Sequence, residues 1–219
     1  MRSWREQNIL LLRITLAALS LANVGVLGPS LLVAADAAPR TEQAVFAGGC
    51  FWCTELAFEQ VKGVLEVESG YCGGTAKTAR YDRVHRGTTR HAEVVRVTYD
   101  PAQISYEQLL DVFFAAHDPT QLNRQGDEDV GRHYRSAIFY VDDVQQKAAE
   151  AKIRELTQNK TFRKRIVTRL EPLVEFFPAE DGHQDFARLN FYSDYIQRHA
   201  VPRACNVRVL HPELIAPGK

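Results

Sequence analysis

The chain has 219 residues, 45% of them hydrophobic, with 27 basic and 27 acidic side chains and no formal net charge. That balance fits one soluble globular domain of ordinary size and excludes nucleic acid as an expected partner, because no basic excess is present to neutralise phosphates. The short basic run Arg163-Lys164-Arg165 reads as a solvated patch.

Residues 1–37 differ from the rest. Arg2, Arg5 and Arg13 precede an uncharged run of 22 residues from Ile14 to Ala35, and Ala35-Asp36-Ala37 offers small residues at the two positions a signal peptidase reads. The segment is expected to be an export signal peptide cleaved near Ala37, leaving one domain over 38–219 and sending it, in a bacterium, to the periplasm. An uncleaved membrane anchor is the alternative, since an uncharged run of this length could span a bilayer. Gly25, Gly28 and Pro29 interrupt a continuous helix and favour cleavage.

Gln43 to Ala47 is a short apolar strand, followed by Gly48-Gly49-Cys50-Phe51-Trp52-Cys53. Cys50 therefore stands where a strand ends and a helix begins, and the first-turn N–H groups and helix dipole are expected to favour its thiolate. That makes Cys50 the candidate nucleophile. Phe51 and Trp52 suit an apolar recognition wall, and Cys53 supplies a second thiol three positions on.

Cys53 to Glu59 reads as a helix with Leu56 and Phe58 packed, stopped by Gly63, and Val64 to Tyr71 as a strand that Gly73-Gly74 breaks into a polar loop over Thr75 to Arg90. From His91 to Tyr99 the residues alternate, so Glu93, Val95, Val97 and Tyr99 share one face. A carboxyl on an apolar face either has a partner or is protonated, unless it reaches solvent at the strand end. Ser105 and Gln108 form a capping box opening a helix whose Tyr106, Leu109, Leu110, Phe113 and His117 follow one stripe. After Asp118-Pro119, a polar loop runs from Asn123 to Arg135. Ser136 to Val141 then reads as a strand, Asp142 with Gln145 caps a helix to about Gln158, Ile166 to Phe177 alternates loosely as a last strand, and His183 to His199 reads as helical. This order predicts an α+β fold, a two-layer sandwich of helices on one mixed sheet.

Four cysteines, Cys50, Cys53, Cys72 and Cys205, in an exported chain would ordinarily suggest two structural disulfides. A domain of this size can bury a core without such staples, and a structural bridge rarely sits at a strand-to-helix corner between aromatic residues. Zinc is not expected, because one C-x-x-C has no second pair at suitable spacing.

With these residues in view, the chain resembles the A-type peptide methionine sulfoxide reductases. The resemblance rests on Gly49-Cys50-Phe51-Trp52, Ser69-Gly70-Tyr71 with Gly73-Gly74, His91-Ala92-Glu93, Arg124-Gln125-Gly126 with Asp129 and Tyr134-Arg135-Ser136, and Ala179-Glu180-Asp181-Gly182-His183-Gln184. It implies a ferredoxin-like core with a mainly antiparallel sheet, and reduction of the S epimer of methionine sulfoxide, free and in proteins, with no bound cofactor or metal. By the same resemblance, Glu93 is the acid, Tyr81 and Tyr134 are hydroxyl donors to the sulfoxide oxygen, Asp129 orders the loop and water around them, and Phe51 and Trp52 hold the S-methyl group. Asp129 is preferred to Asp127 because Val130-Gly131 follows it.

A sulfenic acid on Cys50 must then meet a second thiol before a thioredoxin-like protein or a small thiol restores the enzyme. Cys53, in the same first helical turn, should have its Cα roughly 5 Å from that of Cys50. It ranks first as the resolving cysteine. Cys205 is next, though Pro202 to Leu210 contains no glycine to make a mobile arm, and Cys72 is third. A monomer is expected. The rival readings are a thioredoxin-like disulfide exchanger using Cys50 and Cys53 alone, and a secreted binding module stapled by Cys50–Cys53 and Cys72–Cys205.

Overall fold

A computed structural model describes residues 40–218; the expected export segment lies outside them. In chain order the elements are β1 (Glu42–Gly48), α1 (Phe51–Glu59), β2 (Val64–Cys72), α2 (Tyr81–Val84), β3 (Ala92–Tyr99), α3 (Tyr106–Ala116), β4 (Arg124–Gln125), β5 (Asp129–Val130), β6 (Ser136–Tyr140), α4 (Asp143–Gln158), β7 (Arg169–Pro172), β8 (Phe176–Pro178), α5 (Phe186–Leu189) and α6 (Val201–Leu210). The main sheet has the order β7-β6-β1-β3-β2-β8. Its pairs are antiparallel except β6 and β7, which run parallel because α4 carries the chain back between them. The inner four strands, β6-β1-β3-β2, with α1 and α3 as crossovers, form the expected ferredoxin-like core.

Alternation in β3 divides the molecule as its sequence indicates. Val95, Val97 and Tyr99 face the helices in the main core, whereas Ala92 and Val94 join Val45, Ala47, Cys72, Ala137 and Phe139 on the other side of the sheet. The main core centres on Phe46, whose ring stacks on Phe58 at 5.2 Å and Phe113 at 5.1 Å between centroids. The caps also form as expected: both bonds of the Ser105–Gln108 box are present, and Asp142 accepts from the Gln145 N–H at 2.8 Å.

Two expected elements are different. The single last strand over Ile166 to Phe177 is two strands at opposite edges of the sheet, β7 on β6 and β8 on β2. Only Leu173, Val174 and Glu175 separate them, a reach of about 14 Å at full extension. A flat six-stranded sheet would hold its edges about 24 Å apart, so the sheet curls until they approach. The prolines at the ends of β7 and β8 suit edge strands, where a missing N–H costs little.

The expected helix over His183 to His199 is instead a 3₁₀ turn at Asp181–His183, the one-turn α5, and a later helical run. Asp185 enters α5 with φ +55°. The buried stripe belongs downstream, on Ile196, Ala200, Ala204 and Val207, and continues into α6 through a π-helical turn at Ile196–Ala200. Pro202 explains that turn: it has no N–H for the Arg198 carbonyl and its ring crowds that oxygen. The glycine-free segment from Pro202 to Leu210 is thus helix and not an arm.

Candidate active site

The site begins with a corner that only glycine permits. Gly49 has φ +96°, and a Cβ there would lie 2.4 Å from Gln125 Cγ. Gln125 cannot withdraw, because its amide accepts from the Asp118 N–H at 3.1 Å and donates to the Asp118 carbonyl at 2.7 Å. The β1 backbone therefore turns under β4 and leaves Cys50 as N-cap of α1, its carbonyl accepting from the N–H groups of Cys53 and Thr54, each at 3.2 Å.

Cys50 opens on a cavity of about 200 Å³ lined by Cys50, Phe51, Trp52, Tyr81, His85, Glu93, Glu128, Asp129, Tyr134 and Tyr195. Seven of the sequence-derived candidates, Cys50, Phe51, Trp52, Tyr81, Glu93, Asp129 and Tyr134, meet there from α1 and its N-cap, α2, β3, β5 and the 3₁₀ turn Arg132–Tyr134 before β6. A larger cleft of about 940 Å³ lies between α3 and α6, but no cysteine is among the described residues that line it.

Glu93 is 1% exposed. Its Oε2 accepts from the Phe51 N–H at 3.1 Å, while Oε1 is buried with no partner. Burial first, and then the charge that Cys50 and Asp129 can carry, raise its pKa well above the usual carboxylate range. The shift favours the protonated carboxyl, with one oxygen tied to the helix start and the other free to carry the proton. Tyr81 is pushed up to about 12 by burial and by Glu93, and burial also raises Tyr134. Both remain hydroxyl donors at any working pH. Tyr134 Oη lies 3.4 Å from His85 Nδ1.

The sulfurs depart from the sequence expectation. Burial first, and then the neighbouring Cys53 and Asp129, push the Cys50 thiol up. The neighbouring Cys50 thiol, and then the Arg203 charge, hold Cys53 below the ordinary thiol range despite its burial.

Phe51, 1% exposed, forms the inner wall between Tyr71, Tyr81 and His183, with ring centroids at 5.8, 6.4 and 5.5 Å. Trp52 forms the rim, stacked on Phe186 at 3.8 Å. The motif around Glu180 locks this wall: Glu180 accepts from the Tyr71 hydroxyl and the Tyr81 N–H, each at 3.0 Å, and Gln184 bonds both main-chain groups of Ser69, at 2.9 and 3.0 Å. These bonds tie Ser69-Gly70-Tyr71 to Ala179–Gln184, and Gly70 is needed because a Cβ there would meet the Phe176 ring at 2.4 Å.

Asp129, 3% exposed, lines the cavity, whereas the Asp127 side chain is fully exposed. Asp129 accepts from the Tyr195 hydroxyl at 2.7 Å and from Arg203 at 3.3 Å; Arg203 also reaches the Gly48 carbonyl at 3.3 Å. Sequence reasoning missed Tyr195, Arg203, His85 and Glu128. The two turns of the helical run around Pro202 bring Tyr195 and Arg203 to one carboxylate, and no local pattern marks that.

Cys53 is fully buried against Cys50, while Cys205 is exposed on α6 and Cys72 is buried on the opposite side of the sheet. All four are free thiols here. Among the described residues, no group of three or more His, Cys, Asp or Glu side chains is placed to hold a metal ion.

A family model described as peptide methionine sulfoxide reductase matches residues 42–211. The chain is 51% identical over 164 residues to peptide methionine sulfoxide reductase MsrA 2 of Synechocystis, covering 74% of this chain and 76% of that one. It is 47% identical over 174 residues to MsrA of Pasteurella multocida, covering 80% and 98%. Among solved structures, reduced Mxr1 from Saccharomyces cerevisiae superposes with a TM-score of 0.67 at 34% identity, over 74% of this chain and 93% of that one. Methionine sulfoxide reductase A of Corynebacterium diphtheriae gives 0.62 at 33% identity, over 71% and 77%. With a buried thiol, a buried acid and hydroxyl donors meeting in one apolar-walled cavity, this chain belongs to the A-type peptide methionine sulfoxide reductases, a family of oxidoreductases.

Proposed function

We propose that this enzyme reduces the S epimer of methionine sulfoxide, free and in proteins, using Cys50 as nucleophile and Glu93 as acid, and so repairs oxidised proteins. One observation carries the reading: the buried Glu93 carboxyl lines the Cys50 cavity with one oxygen held by the Phe51 N–H and the other unpartnered, an environment that favours its protonated form. A sulfoxide oxygen leaves only if it is protonated as charge builds on it. Phe51 and Trp52 seat the S-methyl group, which brings the oxygen toward Glu93 and the Tyr81 and Tyr134 hydroxyls. Asp129 fixes the loop on the far side.

The Cys50 sulfur attacks the substrate sulfur while Glu93 protonates the oxygen; the oxygen passes to Cys50, methionine leaves, and the Cys50 proton returns to Glu93. Cys50 is then a sulfenic acid. Cys53 attacks it, forming the Cys50–Cys53 disulfide and releasing water, and a thioredoxin-like protein or a small thiol reduces that disulfide. The contact of Cys53 with Cys50 supports this order, as does the placement of Cys205 and Cys72 away from the cavity. The cluster of acid and hydroxyls argues against simple disulfide exchange, which needs none of them.

We also propose export to the periplasm with cleavage near Ala37, and action as a monomer. The charge and small-residue pattern of residues 1–37 supports export.

The test is a pair of variants. Cys50→Ser abolishes methionine release in a single turnover. Cys53→Ser releases one methionine per enzyme, loses turnover with a thioredoxin-like donor, and keeps turnover with dithiothreitol, which reduces a sulfenic acid directly. Insulin reduction without methionine sulfoxide reduction would instead make the protein a disulfide exchanger.

A further inference from the structure

The resolving step needs a proton transfer of its own, from Cys53 to the oxygen on Cys50. Cys53 must lose a proton as it attacks, and the sulfenic oxygen must gain one as it leaves. Glu93 enters from β3, hydrogen-bonded to the Phe51 N–H. Tyr195 stands elsewhere in the wall of the cavity onto which Cys50 opens, its hydroxyl donating to Asp129 Oδ1 at 2.7 Å, and both the Cys50 and Cys53 thiols feel that hydroxyl. Its ring is held edge-on by Trp52 at 5.9 Å and against His199 at 4.7 Å. Arg203 holds the other Asp129 oxygen at 3.3 Å. The hydroxyl is thus anchored on a buried carboxylate that Arg203 also holds, in the cavity where Cys50 reacts and against which Cys53 is buried.

We infer that Tyr195 is the proton relay of the resolving step, carrying the Cys53 proton to the oxygen that leaves Cys50. This rests on the reading of Cys53 as the resolving cysteine. Once Cys50 bears the sulfenic hydroxyl, rotation about the Cζ–Oη bond turns the Tyr195 hydrogen from Asp129 toward that oxygen. Cys53 supplies the electron pair for the new S–S bond as the S–O bond breaks. Its proton passes to Tyr195 Oη, the Tyr195 proton passes to the departing oxygen, and water forms. The Cys50 sulfur is reduced, the Cys53 sulfur is oxidised, and Tyr195 ends as it began. The two half-reactions of the enzyme then use different acids, Glu93 for the sulfoxide and Tyr195 for the sulfenic acid.

The experiment follows both phases of a single turnover without reductant in the wild type, Tyr195→Phe and Cys53→Ser, by methionine release and by trapping the Cys50 sulfenic acid with a 1,3-dicarbonyl reagent. Tyr195→Phe is expected to release methionine within a few-fold of the wild-type rate but to form the disulfide about 100-fold more slowly, the size of a lost positioned proton donor. The trapped sulfenic acid then accumulates. In the wild type the resolving phase slows in D2O, a readout that does not depend on the variant's folding. Disulfide formation at the wild-type rate in Tyr195→Phe, or a wild-type resolving phase unaffected by D2O, overturns the inference. So does a methionine-release phase slowed as much as the resolving phase. An intramolecular disulfide formed by Cys53→Ser at the wild-type rate instead overturns the reading of Cys53, and the inference with it.

Discussion

Replacing Glu93 by glutamine separates its two duties. The amide oxygen of the variant can still accept from the Phe51 N–H, now 3.1 Å from Glu93 Oε2, so the start of α1 keeps its partner. Stability should change by less than about 1 kcal/mol, whereas Glu93→Ala would strand that N–H at a cost of about 1–3 kcal/mol. The amide can also donate a hydrogen bond to the sulfoxide oxygen, beside Tyr81 and Tyr134, but it has no proton to transfer. Loss of a positioned general acid costs on the order of 100-fold or more in rate, equivalent to about 2.7 kcal/mol in barrier. Single-turnover methionine release, measured by rapid quench at neutral pH, gives that ratio, with the thermal midpoint as control for folding. Because the acid acts in its protonated form, the wild-type rate should also fall as pH climbs through the raised pKa of Glu93, and the variant should lack that limb. A Glu93→Gln enzyme with a near-normal rate constant would refute the assignment and move the acid to a tyrosine.

Two further expectations concern stability. Burial pushes Glu55, 1% exposed on α1, up to about 8. A carboxyl whose folded pKa is raised holds its proton in the folded state after the unfolded chain has released it, so its contribution is complete below the ordinary carboxyl range, near 4.5, and is lost as pH rises toward about 8. Thermal unfolding across that window should show a decline on the order of a few kcal/mol, flattened in Glu55→Gln; equal profiles for both proteins would contradict the argument. Gly49→Ala forces a side chain into φ +96° and against Gln125, whose Cγ would lie 2.4 Å from the new Cβ, and should cost at least about 1–3 kcal/mol in denaturant unfolding along with most of the activity. An unfolding midpoint within error of wild type would show that the corner is not constrained.

Much of this was legible in the chain because it is local. The alternation of β3 placed Glu93 with Val95 and Val97, and the structure buries all three on one side of the sheet. Ser105 with Gln108, and Asp142 with Gln145, marked helix starts through contacts three residues apart. The curl of the sheet was not legible, because it comes from β7 and β8 pairing with strands at opposite edges, while their own residues alternate as one strand would. The site was legible where a motif stands beside Cys50 or on a patterned strand. It was hidden where partners meet from a distance, as Tyr195 and Arg203 meet Asp129 across 66 and 74 residues. The helix dipole argument for a Cys50 thiolate met a similar limit: the burial of the sulfur and the proximity of Asp129, distant in sequence, push the thiol up and are not written in the local motif.

The most direct test is a peptide map of the protein after one turnover with methionine sulfoxide and no reductant. The account predicts one methionine released per enzyme and a single disulfide joining the Cys50 and Cys53 peptides, with Cys72 and Cys205 still free thiols. Methionine released with Cys50 unoxidised would contradict it.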